Sequence, residues 1–407
     1  MTGPSEQGMI EAADARPPEL TIPALFLRFL RFGLLTFGGP VAQIAMIRRE
    51  LVDEERWIDS GSFNRLLAVM QVLPGPEAHE LCVHLGVRAR GRIGGLLAGL
   101  GFMLPGFVLM LALAWAYTRL AIDSTWLGAL FLGVQAAVLA VIFRAVHRIG
   151  EHILTDGWLW ASAILSALAS AGGVSFWIVL ASAGASYALV AEGRLLLAGL
   201  AFAATGTLAL LTVPSDGGAT ALATPMAATS PTTVALFIAG LKGGLLTFGG
   251  AYTAIPFVRD DTVGRDWMTD AQFLDGLALS GLLPAPLVIF VTFVGYVCGG
   301  MTGALAITVG MFLPAFAFSL VFYERLEAIA EHKALHTFLA GVAAAVVGLI
   351  VMTLLELGRA GVERSPDLLI SGLIFAVALA LLYGWKSKLA PPAVLALGAI
   401  VGVACLN

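Results

Sequence analysis

Four titratable side chains follow Pro76 in close succession: Glu77, His79, Glu80 and His84. Glu77 and Glu80 are three apart, and Glu80 and His84 four apart, so on a helix they share one face. Such a group can relay protons, with histidine titrating near physiological pH. It can equally be a polar cluster that stabilises a short loop. The spacing matches no strong metal signature, so no metal is expected, and no cofactor fingerprint is present. A second set of residues is cationic. Arg31 and Lys242 each stand five residues before a Thr-Phe-Gly-Gly, and Arg48 and Arg259 stand at matching places after it. Isolated charges in or near lipid are costly, so their retention at paired positions argues for an anion pathway, Arg gripping an oxyanion with a planar fork and Lys as a point charge. The competing reading is snorkelling at helix ends. It is preferred for Arg28, whose counterpart is Ala239.

The positions match because the chain is written twice. "GLLTFGG" runs from Gly33 to Gly39 and returns from Gly244 to Gly250. Trp57 and Phe63 recur as Trp267 and Phe273, and "LPGP" (Leu73 to Pro76) recurs as "LPAP" (Leu283 to Pro286). "FMLPGF" (Phe102 to Phe107) recurs as "MFLPAF" (Met311 to Phe316), and "GVQAAVLAVI" (from Gly133) as "GVAAAVVGLI" (from Gly341). The offset drifts only from 211 to 208 over this distance, which is a duplication. The Glu/His block breaks the symmetry: the second copy has Leu287, Ile289, Phe290 and Val294 there.

The elements that must position these residues are membrane helices. The 407 residues are 59% hydrophobic and 12% charged, with a mean hydropathy of +0.91. That exceeds what a soluble core of this size buries. Charge-free stretches such as Ile93 to Thr118 and Gly276 to Tyr323 are long enough to cross about 30 Å of hydrocarbon, and their lack of alternation excludes barrel strands. Each copy interrupts its helices with Gly and Pro near residues 38 to 40, 74 to 76 and 105 to 106, and at their partners. In lipid the freed backbone groups are tolerated only beside protein or a water-filled cavity, so the breaks are expected to meet at one polar site. Pro40 suits the first turn of a new helix, whose N–H groups can face an anion.

Basic residues Arg88, Arg90 and Arg92, and then Arg144 and Arg148, place two loops on the cytoplasmic side. Their counterparts, 298 to 302 and 352 to 356, carry no Lys or Arg, whereas Arg325, Lys333, Lys386 and Lys388 mark alternate ends. The fold expected is an all-α polytopic membrane protein of two inverted repeats with broken helices and about thirteen crossings, the N-terminus inside. The divisions are an acidic tail (1–22), a first repeat (23–152), connecting helices (153–213), a linker (214–233) and a second repeat with terminal helices (234–407). The segments Arg48 to Phe63 and Arg259 to Phe273 read as amphipathic interfacial loops, with Trp57 and Trp267 as anchors and Asp59 or Ser60, and Thr269 or Asp270, as helix caps. Cys82, Cys298 and Cys405 are scattered in apolar surroundings and suggest no disulfide framework.

With "TFGGP", "RRELVDEERWI", "QVLPGP" and "GFMLPG" followed by "TFGG", "GRDWMTDAQF" and "LPAP", the chain resembles the chromate ion transporter family in its long, two-domain form, over roughly residues 25 to 400. The resemblance implies a multi-pass carrier of the bacterial inner membrane that expels chromate, a tetrahedral dianion like sulfate, and so confers resistance, driven by the membrane potential or the proton gradient. Its motif positions here are Gly38, Gly39, Pro40, Pro74, Gly75, Pro76, Gly249, Gly250, Pro284 and Pro286; in the favoured reading these breaks, with Thr36 and Thr247, cradle the anion, and Arg31 and Lys242 are its charge partners. Glu77, His79, Glu80 and His84 are then the coupling group. The chain departs from the pattern at Gln43, at Glu77 to Glu80, at Ala251 and at Ala285. The expected partners are the oxyanion and the bilayer, with no nucleic acid, and a homodimer as the assembly to consider. Import or exchange of sulfate-like anions is the second carrier reading. A polytopic membrane enzyme using the Glu/His block as acid and base is the reading from another class.

Overall fold

The computed structural model describes residues 17–35, 39–120, 126–212, 230–248, 250–323, 333–385, 387 and 389–406. Thr36, Gly38, Gly249, Arg325, Lys386, Lys388 and most of the proposed linker lie outside them. The described residues are helical, with no strand among them.

The first copy comprises α1 (Ile22–Leu35), α2 (Gly39–Arg48), α3 (Ser60–Val72), α4 (Glu77–Arg119) and α5 (Trp126–Ile153). Three apolar helices follow, α6 (Gly157–Ala171), α7 (Phe176–Ala191) and α8 (Leu195–Thr212). The second copy comprises α9 (Thr233–Leu245), α10 (Ile255–Thr262), α11 (Asp270–Leu282), α12 (Phe290–Val321) and α13 (Lys333–Arg364), and α14 (Leu368–Gly384) and α15 (Ala390–Cys405) close the chain. Local sequence starts these helices. Asp59 caps α3 by accepting from the Ser62 amide at 2.8 Å, and bonds from the Ser62 side chain and amide hold its carboxyl below the ordinary range. Thr269 and Gln272 form a reciprocal capping box at α11.

The runs from Glu77 to Arg119 and from Phe290 to Val321 each double back, at the places where the sequence sets a loop, Arg88 to Arg92 and its counterpart 298 to 302. The backbone leaves helical geometry at Arg90 (φ −145°, ψ 31°) and Gly91 (φ 63°, ψ −164°), and in the same way at Gly299 (φ −143°, ψ 19°) and Gly300 (φ 62°, ψ −152°). The positive φ suits glycine, the residue present at both turns. Beyond the turn the arms lie side by side: a Cβ on Gly86 would stand 2.5 Å from that of Ala98, and one on Gly99 2.7 Å from Val83 Cγ2. In the second copy the Thr292 and Thr308 hydroxyls meet at 2.8 Å across the equivalent hairpin. The short arm, 77–90, is about 20 Å long at 1.5 Å per residue, which does not span the hydrocarbon by itself. Arg88, Arg90 and Arg92 are exposed at the hairpin tip.

The two copies pack alike. A Cβ on Gly33 would overlap the Phe102 carbonyl oxygen and come within 3.1 Å of Pro105 Cγ; one on Gly244 would overlap the Met311 carbonyl and come within 3.1 Å of Pro314 Cγ. Small residues thus let α1 and α9 lie directly on the backbone of the long arms. The copies also meet reciprocally. Gly75 faces Ala315 and Gly106 faces Ala285, two contacts that the repeat relates to one another, as an isologous two-fold interface requires. The equivalent long arms run antiparallel, with Gly95 beside Leu320 and Gly99 beside Phe316.

This contact explains the loss of a glycine at Ala285. Its methyl fills the place that a side chain on Gly106 would take. Gly106→Ala is expected to cost about 1–3 kcal/mol by overpacking, and Ala285→Gly to restore most of it. Melting temperatures of the single and double variants in detergent check this, additive losses counting against the contact.

Trp57 needs correction. It is fully buried, edge-on to Phe29 at 6.3 Å and bonded through Nε1 to Glu55 at 2.9 Å, so it is a core residue of the first copy and not an interfacial anchor. The loop that carries it continues α2 as a wide π-helical turn, Arg49–Glu54.

Candidate functional site

The breaks of the two copies come together. The Gly75 amide, within LPGP of the first copy, donates to the Thr247 carbonyl, within TFGG of the second, at 2.9 Å. Thr247 turns its hydroxyl back to the Gly243 carbonyl at 2.6 Å. Thr253 accepts from the Phe248 amide at 3.1 Å and donates to the Gly250 carbonyl at 2.7 Å. Backbone groups freed by the interruption are therefore satisfied by protein. Pro74 is half-buried, and Pro76, Pro284 and Pro286 are buried. The Pro76 carbonyl accepts from the His79 and Glu80 amides and so starts α4, while Pro286 does the same for Ile289. Gly39 (φ 78°) and Pro40 open α2, as the sequence suggests; in the second copy a 3-10 turn, Ala251–Ala254, follows Gly250 before α10 begins. Among the described residues a Cβ on Gly39 would meet no atom within 4 Å, and one on Gly250 only Ile149 at 4.0 Å.

The Glu/His block lies at this junction and is deeply enclosed. His79 and Glu80 have no exposed surface, and Glu77 is 8% exposed. The Glu80 carboxyl lies over Gly75 so closely that a Cβ there would overlap Oε1. Among the described residues neither Glu80 oxygen has a hydrogen-bond partner, and the amide of Gln43, 1% exposed on α2, is likewise unpartnered. His79 is boxed by rings of the second copy, Phe312 at 4.9 Å and Phe316 at 4.6 Å, and His84 stacks on Tyr323 at 4.4 Å. The Ser319 hydroxyl reaches the Glu80 carbonyl at 3.4 Å. The polar block of one copy is thus docked on an apolar face of the other.

The cations are placed differently. Arg31 pairs with Glu50, and Lys242 pairs with Asp261 at 2.8 Å; Glu50 and Asp261 are themselves repeat partners. Arg48 donates to Ser60 at 3.0 Å and Asn64 at 3.2 Å, while Arg259 grips Asp270, the partner of Ser60, at 2.7 and 3.0 Å and also bonds Glu356. Arg28, the cation read as snorkelling, is 21% exposed, paired with Glu55 and set over the Trp57 ring, whereas Arg31 is 53% exposed. The repeat conserves the acids with the bases, a signal present at the same offset in the sequence.

Besides Glu50 and Asp261, sequence reasoning missed a further buried carboxylate. Asp275 on α11 has no exposure and accepts from Gln135 Nε2 at 2.6 Å and from Tyr117 Oη at 2.8 Å, which ties α11 of the second copy to α4 and α5 of the first. It stands one residue before a charge-free stretch and was absorbed into its margin. Gln135 also reaches a cavity of about 840 Å³ between α5, α13 and α14, whose rim includes His147, Arg359 and Glu363. None of the break residues lines that cavity.

Two homologous units joined through interrupted helices, each with helices long and apolar enough to cross a membrane, define a multi-pass membrane protein of the transporter class. The chain belongs to the chromate transporter family, whose pattern matches residues 23–191 and again 234–403. It is 62% identical over 380 residues to the chromate transport protein of Pseudomonas aeruginosa, covering 92% of this chain and 90% of the relative. It is 31% identical to the chromate transport protein of Cupriavidus metallidurans (95% and 94% covered) and 31% to a probable chromate transport protein of Synechococcus elongatus (95% and 96%). No solved structure matches. The relatives are transport proteins, and this chain is a transporter, not an enzyme.

Proposed function

We propose that the protein is a secondary carrier that exports chromate, or a sulfate-like oxyanion, across the bacterial inner membrane and so confers chromate resistance, drawing on the membrane potential or the proton gradient. The observation that carries this reading is the junction of the two breaks, where Gly75 bonds Thr247 beside the buried Glu80, unpartnered among the described residues. Its place between two homologous units is the arrangement of alternating-access carriers, in which one unit rocks against the other around a central site. The antiparallel course of the equivalent long arms supports opposite orientation of the copies, because related helices that cross a bilayer antiparallel are inverted. The three helices α6, α7 and α8 are the odd number of connections such an inversion needs.

In this reading the break residues, Gly39, Pro40, Pro74, Gly75, Pro76, Thr247, Gly250, Pro284 and Pro286, form the cradle. Arg31 and Lys242, with Arg48 and Arg259, contribute charge along the pathway when their acidic partners release them, and the Glu/His block couples transport to protons. Counterflow in proteoliposomes tests it: internal chromate is expected to accelerate entry of labelled chromate, with sulfate and molybdate competing, and the labelled ion is expected to emerge unaltered. Chemical conversion without flux would end the reading. Inside-out vesicles then distinguish export from the import or exchange of sulfate-like anions.

A further inference from the structure

We infer that the carrier moves its anion together with a proton held on the Glu80 carboxyl, both travelling in the same direction. The inference rests on the carrier reading above and fixes the sign of its coupling.

Glu80 sits against Gly75, at the contact between the two breaks, and has no exposed surface. Among the described residues both of its oxygens are without a hydrogen-bond partner, so the group is unspent where a substrate would enter. The charges on the surrounding elements are committed elsewhere. On α1, Arg28 and Arg31 are paired with Glu55 and Glu50; on α2, Arg48 turns to Ser60 and Asn64; on α3, Arg65 donates to Ser62. On α11, Asp270 is held by Arg259, and Asp275 by Gln135 and Tyr117. Residues 290–321 of α12 contain no charged side chain. On its own helix, Glu80 has the carboxyl Glu77 three residues before it, His79 boxed by phenylalanines, His84 stacked on Tyr323, and Arg88 exposed near the hairpin tip.

An oxyanion entering beside an ionised Glu80 would therefore add negative charge to negative charge in low-dielectric surroundings, with no cation among the described residues paired to Glu80 to offset it. With a proton on the carboxyl the repulsion disappears, and its O–H becomes a donor for an oxyanion. Proton and anion thus favour each other's binding, and by reciprocity each raises the other's affinity equally. The step balances simply: a proton joins the Glu80 carboxylate from water on one side and returns to water on the other. A dianion accompanied by one proton carries one net negative charge, so an inside-negative potential still drives it outward while an inward proton gradient opposes it.

The experiment uses the wild-type chain in liposomes containing a pH-sensitive dye, with the potential clamped and an inward gradient of labelled chromate applied in the alkaline range where chromate stays fully ionised. Chromate entry is expected to acidify the lumen with about one proton per anion, and the rate to fall by up to about tenfold per pH unit, the limit for one linked proton. In Glu80→Gln the rate, whatever its height, is expected to be flat with pH and the proton count to fall to zero. Alkalinisation of the lumen, flux without proton movement, or a Glu80→Gln variant that still carries its proton would overturn the assignment. If Glu80→Gln does not assemble, the sign of the wild-type pH change decides alone. Absence of labelled chromate from the lumen would instead remove the carrier reading, and the coupling with it.

Discussion

Asp261→Asn is expected to destabilise the protein by roughly 3 kcal/mol or more, and the equivalent change in the first copy, Glu50→Gln, by about 1 kcal/mol. The pairs are related by the repeat but differ in burial. Asp261 is 3% exposed and holds two cations, Lys242 at 2.8 Å and Arg265 at 3.0 Å; Lys242 is itself only 12% exposed. Removing the acid strands Lys242 among apolar surroundings, against the Phe176 ring at 4.1 Å, with only the exposed Asp260 at 3.6 Å in reach. In the first copy Arg31 is 53% exposed and can return to water, and Arg28 keeps Glu55. Thermal unfolding in detergent measures both. The double variant Lys242→Met, Asp261→Asn, which leaves neither charge, is expected to recover much of the loss, because unpairing and not absence is what costs. The same double variant separates two roles. If it folds and still supports chromate counterflow, Lys242 is a structural partner of Asp261; if it folds without flux, Lys242 supplies charge to the anion.

Much of this architecture can be read from the letters, for definite reasons. A seven-residue identity and a drift of three over the chain reveal the duplication before any coordinate is known, and the Gly and Pro interruptions mark where helices cannot continue. That those interruptions meet follows from the cost of freed backbone groups in lipid, and the bond from Gly75 to Thr247 bears it out. The hairpin tips were legible, at Arg88 to Arg92 by charge and at 298 to 302 by the repeat; how closely the arms fold back on each other was not, because an apolar helix has the same composition before and after a reversal. The paired Arg90-Gly91 and Gly299-Gly300 turns differ from ordinary packing glycines only in φ. The cations were read without the acids at the same offset, so Glu50 and Asp261 went unnoticed as their partners. Trp57 looked interfacial because it lies among charges, yet the π-helical turn folds that segment inward onto Phe29. Asp275 escaped because a lone carboxylate at the edge of a span has no sequence signal beyond its own presence; its partners come from residues more than a hundred positions away.

Gly33→Val and Gly244→Val are expected to lower the yield of assembled protein steeply, each costing roughly 3 kcal/mol or more. Both glycines lie where a helix rests on the backbone of a proline-bearing arm, and the atom that a new Cβ would overlap is a carbonyl oxygen, of Phe102 in one copy and Met311 in the other. A crowded side chain can change rotamer, but a carbonyl within a packed helix moves only with its whole arm. The arms in question, 92–119 and 301–321, also carry the contacts between copies at Gly95, Gly99 and Ala315, so a shift in either should open the junction at Gly75 as well. Gly358→Ala on α13 is the control. A Cβ there meets nothing within 4 Å, and alanine in place of a helical glycine is expected to be neutral or to stabilise by up to about 1 kcal/mol. Fluorescence-detected gel filtration after heating reads all three. A Gly33 or Gly244 variant as stable as the Gly358 one would mean that α1 and α9 do not rest on these arms, and that the likeness of the two copies extends only to their sequences.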